Sequence, residues 1–195
     1  GPQIVPEYLP EARCLIKDKI ELFTTGYCIG SEARFFPVGG SNSEFNWTLN
    51  GLPLSNMAPD GSVLVEMEQT GTFELCLKET NQAGCSAQVC KTYHVYALPE
   101  VNISELSHGS DNEINICKNE DLLFTGSYEH PDGFSIGAWY WTITAQGDNT
   151  VLATGYQSAF DYTFAMSGIY EVHLYATNCL GCASEAKTVT VHVSE

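Results

Sequence analysis

The sequence predicts an all-β protein made of two copies of one small β-sandwich in tandem. Three observations carry this reading. The stretch GTFELCLKETNQAGC, from Gly71 to Cys85, returns as GIYEVHLYATNCLGC from Gly168 to Cys182, ninety-seven positions on (71 to 168). Glycine, glutamate, leucine, Thr-Asn and Gly-Cys recur at matching places, and such self-similarity marks a duplicated unit. Apolar residues elsewhere fall in short runs with period two, the signature of half-buried strands. Turn residues bound those runs, and no stretch sustains a helical period.

The elements follow in order. Residues 1–8 read as linker, and Gly1-Pro2 has the look of the scar of a cleaved tag, which marks the chain as an excerpt. Leu9-Pro10-Glu11 returns as Leu98-Pro99-Glu100, so the domains are expected over 9–97 and 98–195, with proline stiffening each joint. In the first domain, Cys14–Ile16, Ile20–Phe23, Ala33–Phe36, Phe45–Leu49, Val63–Val65, the repeated stretch and Thr92–Tyr96 read as strands. Asn50-Gly51 is a strong turn signal. In the second, Asn115–Cys117, Leu122–Phe124, Trp139–Ile143, Phe160–Phe164, the repeated stretch and Thr188–Val193 do so. About seven strands per domain, joined by hairpin or Greek-key connections, make a sandwich. Parity in the repeated stretch points Phe73, Leu75 and Leu77 inward against Trp47, and Tyr170, Val172 and Leu174 inward against Trp141. It points Glu74, Cys76, Lys78, Glu171, His173 and Tyr175 outward.

Composition bounds the function. The formal charge is −16. To Leu98 there are six Lys/Arg and eleven Asp/Glu (6 − 11 = −5), and beyond it two and thirteen (2 − 13 = −11). Such a field repels phosphate backbones and anionic lipid, which argues against nucleic-acid partners and membrane binding. No apolar run reaches membrane-spanning length, so no membrane insertion is expected. Eight cysteines with so few lysines suit an oxidising, extracellular or cell-surface setting.

The pattern of strand, Trp-x-Leu or Trp-x-Ile, turn, strand, then Gly-x-aromatic-Glu-x-x-Leu-x-x-Thr-Asn-x-x-Gly-Cys and a final strand resembles the PKD-like and immunoglobulin-like repeats of large secreted surface proteins of Bacteroidetes, among them gliding-motility and cell-surface adhesins. Trp47-Thr48-Leu49-Asn50-Gly51 and Trp141-Thr142-Ile143-Thr144-Ala145 depart from the Asp-Phe-Gly-Asp-Gly turn of the commonest PKD repeats, which favours a divergent subgroup. The resemblance implies two tandem Ig-like/PKD-like β-sandwich domains in a non-catalytic stalk or spacer, with neighbouring repeats of the same chain as partners. A surface glycan or protein is the further partner expected. The rival is a glycan-binding accessory module of a secreted polysaccharide-degrading enzyme.

Cysteine positions repeat. Cys28 and Cys117 are eighty-nine apart, as are the Leu-Pro-Glu copies, and Cys85 and Cys182 close the repeated stretch. The simplest pairing is one equivalent disulfide per domain, Cys28–Cys85 and Cys117–Cys182, each closing a loop worth roughly 3–4 kcal/mol. Cys76 and Cys90 share outward parity on neighbouring strands folded about Ala83, which sets a third pair. Cys14 aligns with Ile103 and Cys179 with Gln82, leaving a buried and an exposed thiol whose contact would need the domains to fold back on each other.

Other chemistry finds little support. Cys179-Leu180-Gly181-Cys182 lies in a turn between strands, without the helix N-terminus that activates a redox C-x-x-C. His94, His108, His130, His173 and His192 are scattered, and no hydrolase elbow, zinc-protease helix or phosphate loop occurs. No enzymatic activity and no cofactor is expected, apart from a looser calcium site with Asp132 and Asp148 as its loop carboxylates. The loops 130–137 and 148–156 are additions relative to the first domain, and Phe134, Tyr140 and Tyr156 are candidates for an aromatic platform under a sugar ring. Asn46-Trp47-Thr48 and Asn102-Ile103-Ser104 are formal glycosylation sequons.

Overall fold

The computed structural model describes residues 1–16 and 20–195. The described chain is strand and loop throughout, and it forms two compact units. The first comprises Gly1–Ala12 and Phe23–Ala97; the second comprises Arg13–Leu22 and Leu98–Glu195. Each is an Ig-like sandwich of a three-stranded and a five-stranded sheet.

In the first sandwich β1 (Gln3–Pro6) opens the fold, and β2 (Glu11–Ile16) and β3 (Ile20–Thr25) form a separate hairpin. Then follow β4 (Tyr27–Cys28), β5 (Glu32–Val38), β6 (Glu44–Leu49), β7 (Leu52–Pro53), β8 (Val63–Glu66), β9 (Gly71–Thr80) and β10 (Ser86–Tyr96). The sheets have the orders β1-β5-β8 and β4-β10-β9-β6-β7. The second sandwich has β11 (Glu100–Glu105), β12 (Glu113–Cys117), β13 (Glu120–Glu129), β14 (Ile136–Ala145), β15 (Val151–Gly155), β16 (Ala159–Phe164), β17 (Gly168–Asn178) and β18 (Lys187–Ser194). Its sheets run β11-β13-β16 and β12-β18-β17-β14-β15, the same topology strand for strand. In both, the short strand β4 or β12 lies parallel to the last strand, and the other pairs are antiparallel.

Period-two burial builds both cores. Trp47, Leu75, Leu77, Tyr93 and Val95 from the five-stranded sheet meet Phe35 and Val63 of the other. Trp141, Ile143, Val172, Leu174 and Val191 meet Phe124 and Phe164 in the second. Each core tryptophan is satisfied in the same way: Trp47 Nε1 donates to the Gly61 carbonyl and Trp141 Nε1 to the Gln157 carbonyl, both at 2.8 Å. The carbonyls lie just before β8 and β16, so each indole ties its strand to the opposite sheet, as a buried N–H requires a partner.

Four expectations are corrected. Residues 1–8 are not a linker: β1 pairs antiparallel with β5, and Ile4 is buried in the core. Pro6 sits on an edge strand, where its missing N–H costs nothing. The Leu-Pro-Glu copies are not equivalent. Pro10 leads into the hairpin β2–β3, whereas Pro99 precedes β11, so Cys14 is a hairpin residue with no counterpart rather than the partner of Ile103. The domain bounds 9–97 and 98–195 shift accordingly, because the first sandwich begins with β1 and Arg13–Leu22 belongs to the second unit. Each sandwich has eight strands among the described residues, not seven.

Candidate functional site

The cysteines are placed by the strands that carry them. Cys28 ends β4 and pairs with Tyr96 at the end of β10; Cys117 ends β12 and pairs with Ser194 at the end of β18. The residue after each donates its N–H to the last strand, Ile29 to Tyr96 and Lys118 to Ser194, both at 2.9 Å. At the other end of the same sheet lies the repeated turn. Asn81 Oδ1 accepts from Ala83 N and Cys85 N, both at 3.0 Å. Asn178 Oδ1 accepts from Leu180 N (3.0 Å) and Cys182 N (2.9 Å). Gly84 and Gly181 follow with φ of 81° and 89°, the left-handed conformation that glycine adopts without strain. The Thr-Asn-x-x-Gly-Cys motif is thus one turn built twice.

This geometry overturns the pairing of Cys28 with Cys85 and of Cys117 with Cys182. β10 and β17 each run eleven residues. At about 3.4 Å per residue, the strand-end and turn cysteines of one sandwich stand roughly 35 Å apart. A disulfide needs Cα atoms within about 7 Å. Cys85 and Cys117 are exposed free thiols, whereas Cys28 and Cys182 are disulfide-bonded. Equivalence along the chain had set the pairs, but the two equivalent positions sit at opposite poles.

Cys76 and Cys90 face each other directly in the β9–β10 register and are bonded, with Cα atoms 4.1 Å apart. Glu74 lies beside them, its Oε1 3.6 Å from Cys76 Sγ. Cys14 and Cys179 are also bonded, at a Cα separation of 5.4 Å, so neither is the thiol expected. The hairpin reaches this position within the second unit. Ser135 N donates to Leu15 O (2.9 Å), Ile16 bridges Phe134, and Cys179 N donates to Ser135 O (3.2 Å). Tyr128 Oη donates to the carbonyls of Phe134 and Ser135 (3.1 and 3.2 Å), and burial pushes its phenol pKa up to about 12.

The loop 130–137 is therefore a structural clasp rather than a presented loop. Phe134 is 5% exposed and stacks on His130. It takes no part in an aromatic platform, because the hairpin covers it. Tyr140 instead stacks on its cross-strand partner Tyr175, with centroids 4.7 Å apart, and meets Tyr156 edge-on at 6.1 Å. Tyr156 is 64% exposed. The result is a row of three tyrosines across the outer face of the five-stranded sheet, not a coplanar surface. Tyr175 was readable as outward-facing from parity, but its pairing with Tyr140 needed the β14–β17 register.

Beside the row, His173 lies 2.9 Å from Thr188 Oγ1 through Nδ1 and 3.3 Å from Thr144 Oγ1 through Nε2, with Glu171 at 3.5 Å. The calcium candidates stay apart in role. Asp148 Oδ1 accepts from Thr150 N in an exposed turn, and Asp132 donates its backbone N–H to His130 Nδ1. Among the described residues the grouping with metal-ligand spacing is Glu74, Cys76 and Cys90, which includes neither aspartate and whose sulfurs are bonded to each other. Sequence reasoning passed over Glu105. Burial alone would raise its carboxyl, but hydrogen bonds from His108 Nδ1 and the N–H groups of Ser107, His108 and Leu123 outweigh that and hold it below the ordinary range.

No family model matches the chain, and no curated protein matches it significantly. Solved structures are similar in fold. The fibronectin(III)-like modules of Clostridium thermocellum CbhA are 13% identical over 98% of this chain and 94% of that one, with a TM-score of 0.48. Three N-terminal domains of the bacteriophage RB49 outer capsid protein Hoc are 11% identical over 99% of this chain and 59% of that one, with a TM-score of 0.46. The insect immune protein hemolin is 14% identical over 98% and 46%, with a TM-score of 0.41. With TM-scores below 0.5, these likenesses carry no argument about this chain.

Proposed function

We propose that this chain is a non-catalytic segment, a stalk or spacer of a secreted cell-surface adhesin, which serves attachment or gliding. The observation that carries the reading is duplication down to the hydrogen bond. Topology, the tryptophan tether and the Asn-x-x-Gly-Cys turn are all repeated, as expected where each copy is the same spacing unit. Disulfides such as Cys14–Cys179 and Cys76–Cys90 suit an oxidising, extracellular setting. The test is the sequence flanking these residues: further copies of the Gly71–Cys85 stretch support a stalk, and an adjacent polysaccharide hydrolase overturns it.

The second reading, a glycan-binding accessory module, is favoured by the tyrosine row alone. Aromatic rings offer apolar faces to sugars, and Tyr156 is the most exposed of the three. A glycan array separates the two readings. Binding that is abolished by Tyr156→Ala supports the module, and no binding leaves the stalk.

A further inference from the structure

The outer face of the β9–β10 hairpin gathers three metal-ligating side chains. Cys76 and Cys90 are direct cross-strand partners, and Glu74 lies two residues before Cys76 on the same face. Glu74 Oε1 is 3.6 Å from Cys76 Sγ, and the three donor atoms all lie within 4.8 Å of one another. Gln88 Nε2 donates to Cys90 Sγ at 3.3 Å. Glu74 and Cys90 are exposed, so the group is open to solvent. The sulfurs are joined, but the bond closes only a hairpin, over a sequence separation of 14. The ladder that sets them opposite continues on both sides, from Ser86↔Thr80 to Val95↔Gly71. The second copy shows that such a hairpin forms without the bond. Its equivalent places hold Glu171, His173 and Thr188, and a side-chain hydrogen bond stands where the disulfide would. There too a carboxylate lies beside a metal-ligating residue, with Glu171 Oε2 3.5 Å from His173 Nε2.

We infer that Cys76, Cys90 and Glu74 form a reduction-gated site for a thiophilic divalent metal ion such as Zn²⁺ or Cd²⁺. The inference goes beyond the stalk reading and does not depend on it. An external dithiol supplies the two electrons. One of its thiolates attacks Sγ of the exposed Cys90 and expels the Cys76 thiolate; its second thiolate then displaces Cys90 and closes the donor's own disulfide. The ladder keeps the freed sulfurs face to face, on strands whose Cα atoms are 4.1 Å apart at this pair. Two thiolates on one tetrahedral zinc stand roughly 3.8 Å apart, a matching spacing. The metal takes both thiolates and their two protons pass to water. Glu74 is the third ligand, Gln88 holds a sulfur from outside the ligand set, and water fills the fourth position. While the sulfurs are joined there is no thiolate to offer, so the oxidised hairpin takes no metal.

The test uses the whole 195-residue chain, with Cys85→Ser and Cys117→Ser to remove the free thiols. Graded phosphine, followed by thiol trapping and mass spectrometry, should open Cys76–Cys90 before the buried Cys14 and Cys182, which are 0% and 1% exposed. After the phosphine is removed, Cd²⁺ alone is the probe. The partly reduced chain should bind one equivalent and show thiolate-to-cadmium charge-transfer absorption, with unchanged circular dichroism. The unreduced chain should show no such absorption. Glu74→Gln should weaken Cd²⁺ binding at least about tenfold, the loss that even an outer partner of a ligand causes. Equal absorption from a chain that also carries Cys76→Ser and Cys90→Ser overturns the inference. So does opening of Cys14 or Cys182 first, loss of the native circular dichroism on partial reduction, or an affinity that Glu74→Gln leaves unchanged. None of these outcomes bears on the flanking sequence, which decides the stalk reading separately.

Discussion

Tension applied through residues 1 and 195 follows the shortest covalent path. The Cys14–Cys179 disulfide, spanning a sequence separation of 165, makes that path residues 1–14, the bond, and residues 179–195. Both sandwich cores then lie almost wholly outside the load. At about 3.5 Å per extended residue, the bypassed segment holds roughly 580 Å of contour, and the residues left in the path supply only about 110 Å. The assay is single-molecule force–extension with handles at residues 1 and 195, with and without a thiol-free phosphine reductant. Without reductant, no unfolding step should lengthen the molecule beyond that ~110 Å limit. With it, steps summing to roughly 580 Å should appear, less the folded dimensions. An oxidised molecule that yields steps of about 300 Å, one sandwich each, would refute the bypass.

Other expectations are smaller in scale. Glu105→Gln removes a carboxylate oxygen from a site where three backbone N–H groups converge, and should cost about 1–3 kcal/mol, read as a lower urea midpoint with unchanged slope. Because the fold lowers the Glu105 pKa, its contribution is complete above the ordinary carboxylate pKa of about 4.3 and is lost as pH falls through the lowered value; the gap between wild type and Glu105→Gln should therefore close in acid. Asn178→Ala should destabilise by about 1–3 kcal/mol and Asn81→Ala by less than about 1, since Asn178 is 1% exposed and water can replace the exposed Asn81; thermal denaturation of both variants checks the order. Replacing the facing pair His173 and Thr188 with cysteines (His173→Cys, Thr188→Cys) should give a cross-strand disulfide like Cys76–Cys90 and add up to about 3 kcal/mol, measured as a midpoint shift reversed by reductant.

The sandwich was legible because half-buried strands obey a period of two. Trp47, Phe73, Leu75 and Leu77, and Trp141, Tyr170, Val172 and Leu174, are buried where parity put them. What escaped the sequence did so for physical reasons. β1 is only four residues long, follows Pro2 and ends in Pro6, so its composition is that of a connector, although Ile4 fills the core. The hairpin β2–β3 is an insertion in the first copy, and the chance return of Leu-Pro-Glu hid it by offering a false alignment. Phe134 looked available because its loop is extra, yet that loop is held by Tyr128 and covered by the hairpin. The cysteine pairing failed at one step: position along a duplicated chain says which cysteines are equivalent, but not at which pole of a sheet they emerge.

What is repeated and what is not also divide by role. The strand-end cysteine, the turn cysteine and the tryptophan tether occur in both copies, so they belong to the domain. Cys14, Cys179 and the Cys76–Cys90 bond occur once. At the pair facing Thr48 and Thr142 on the neighbouring strand, the first copy holds β9 to β10 by Cys76–Cys90. The second holds β17 to β18 by the His173–Thr188 hydrogen bond. A disulfide survives tension and acid, whereas a histidine hydrogen bond on a half-exposed face is exchanged readily for water. The same register therefore carries two strengths of cross-link in one chain. The stronger lies in the sandwich whose turn thiol, Cys85, is free, and the weaker in the one whose turn cysteine, Cys182, is already bonded.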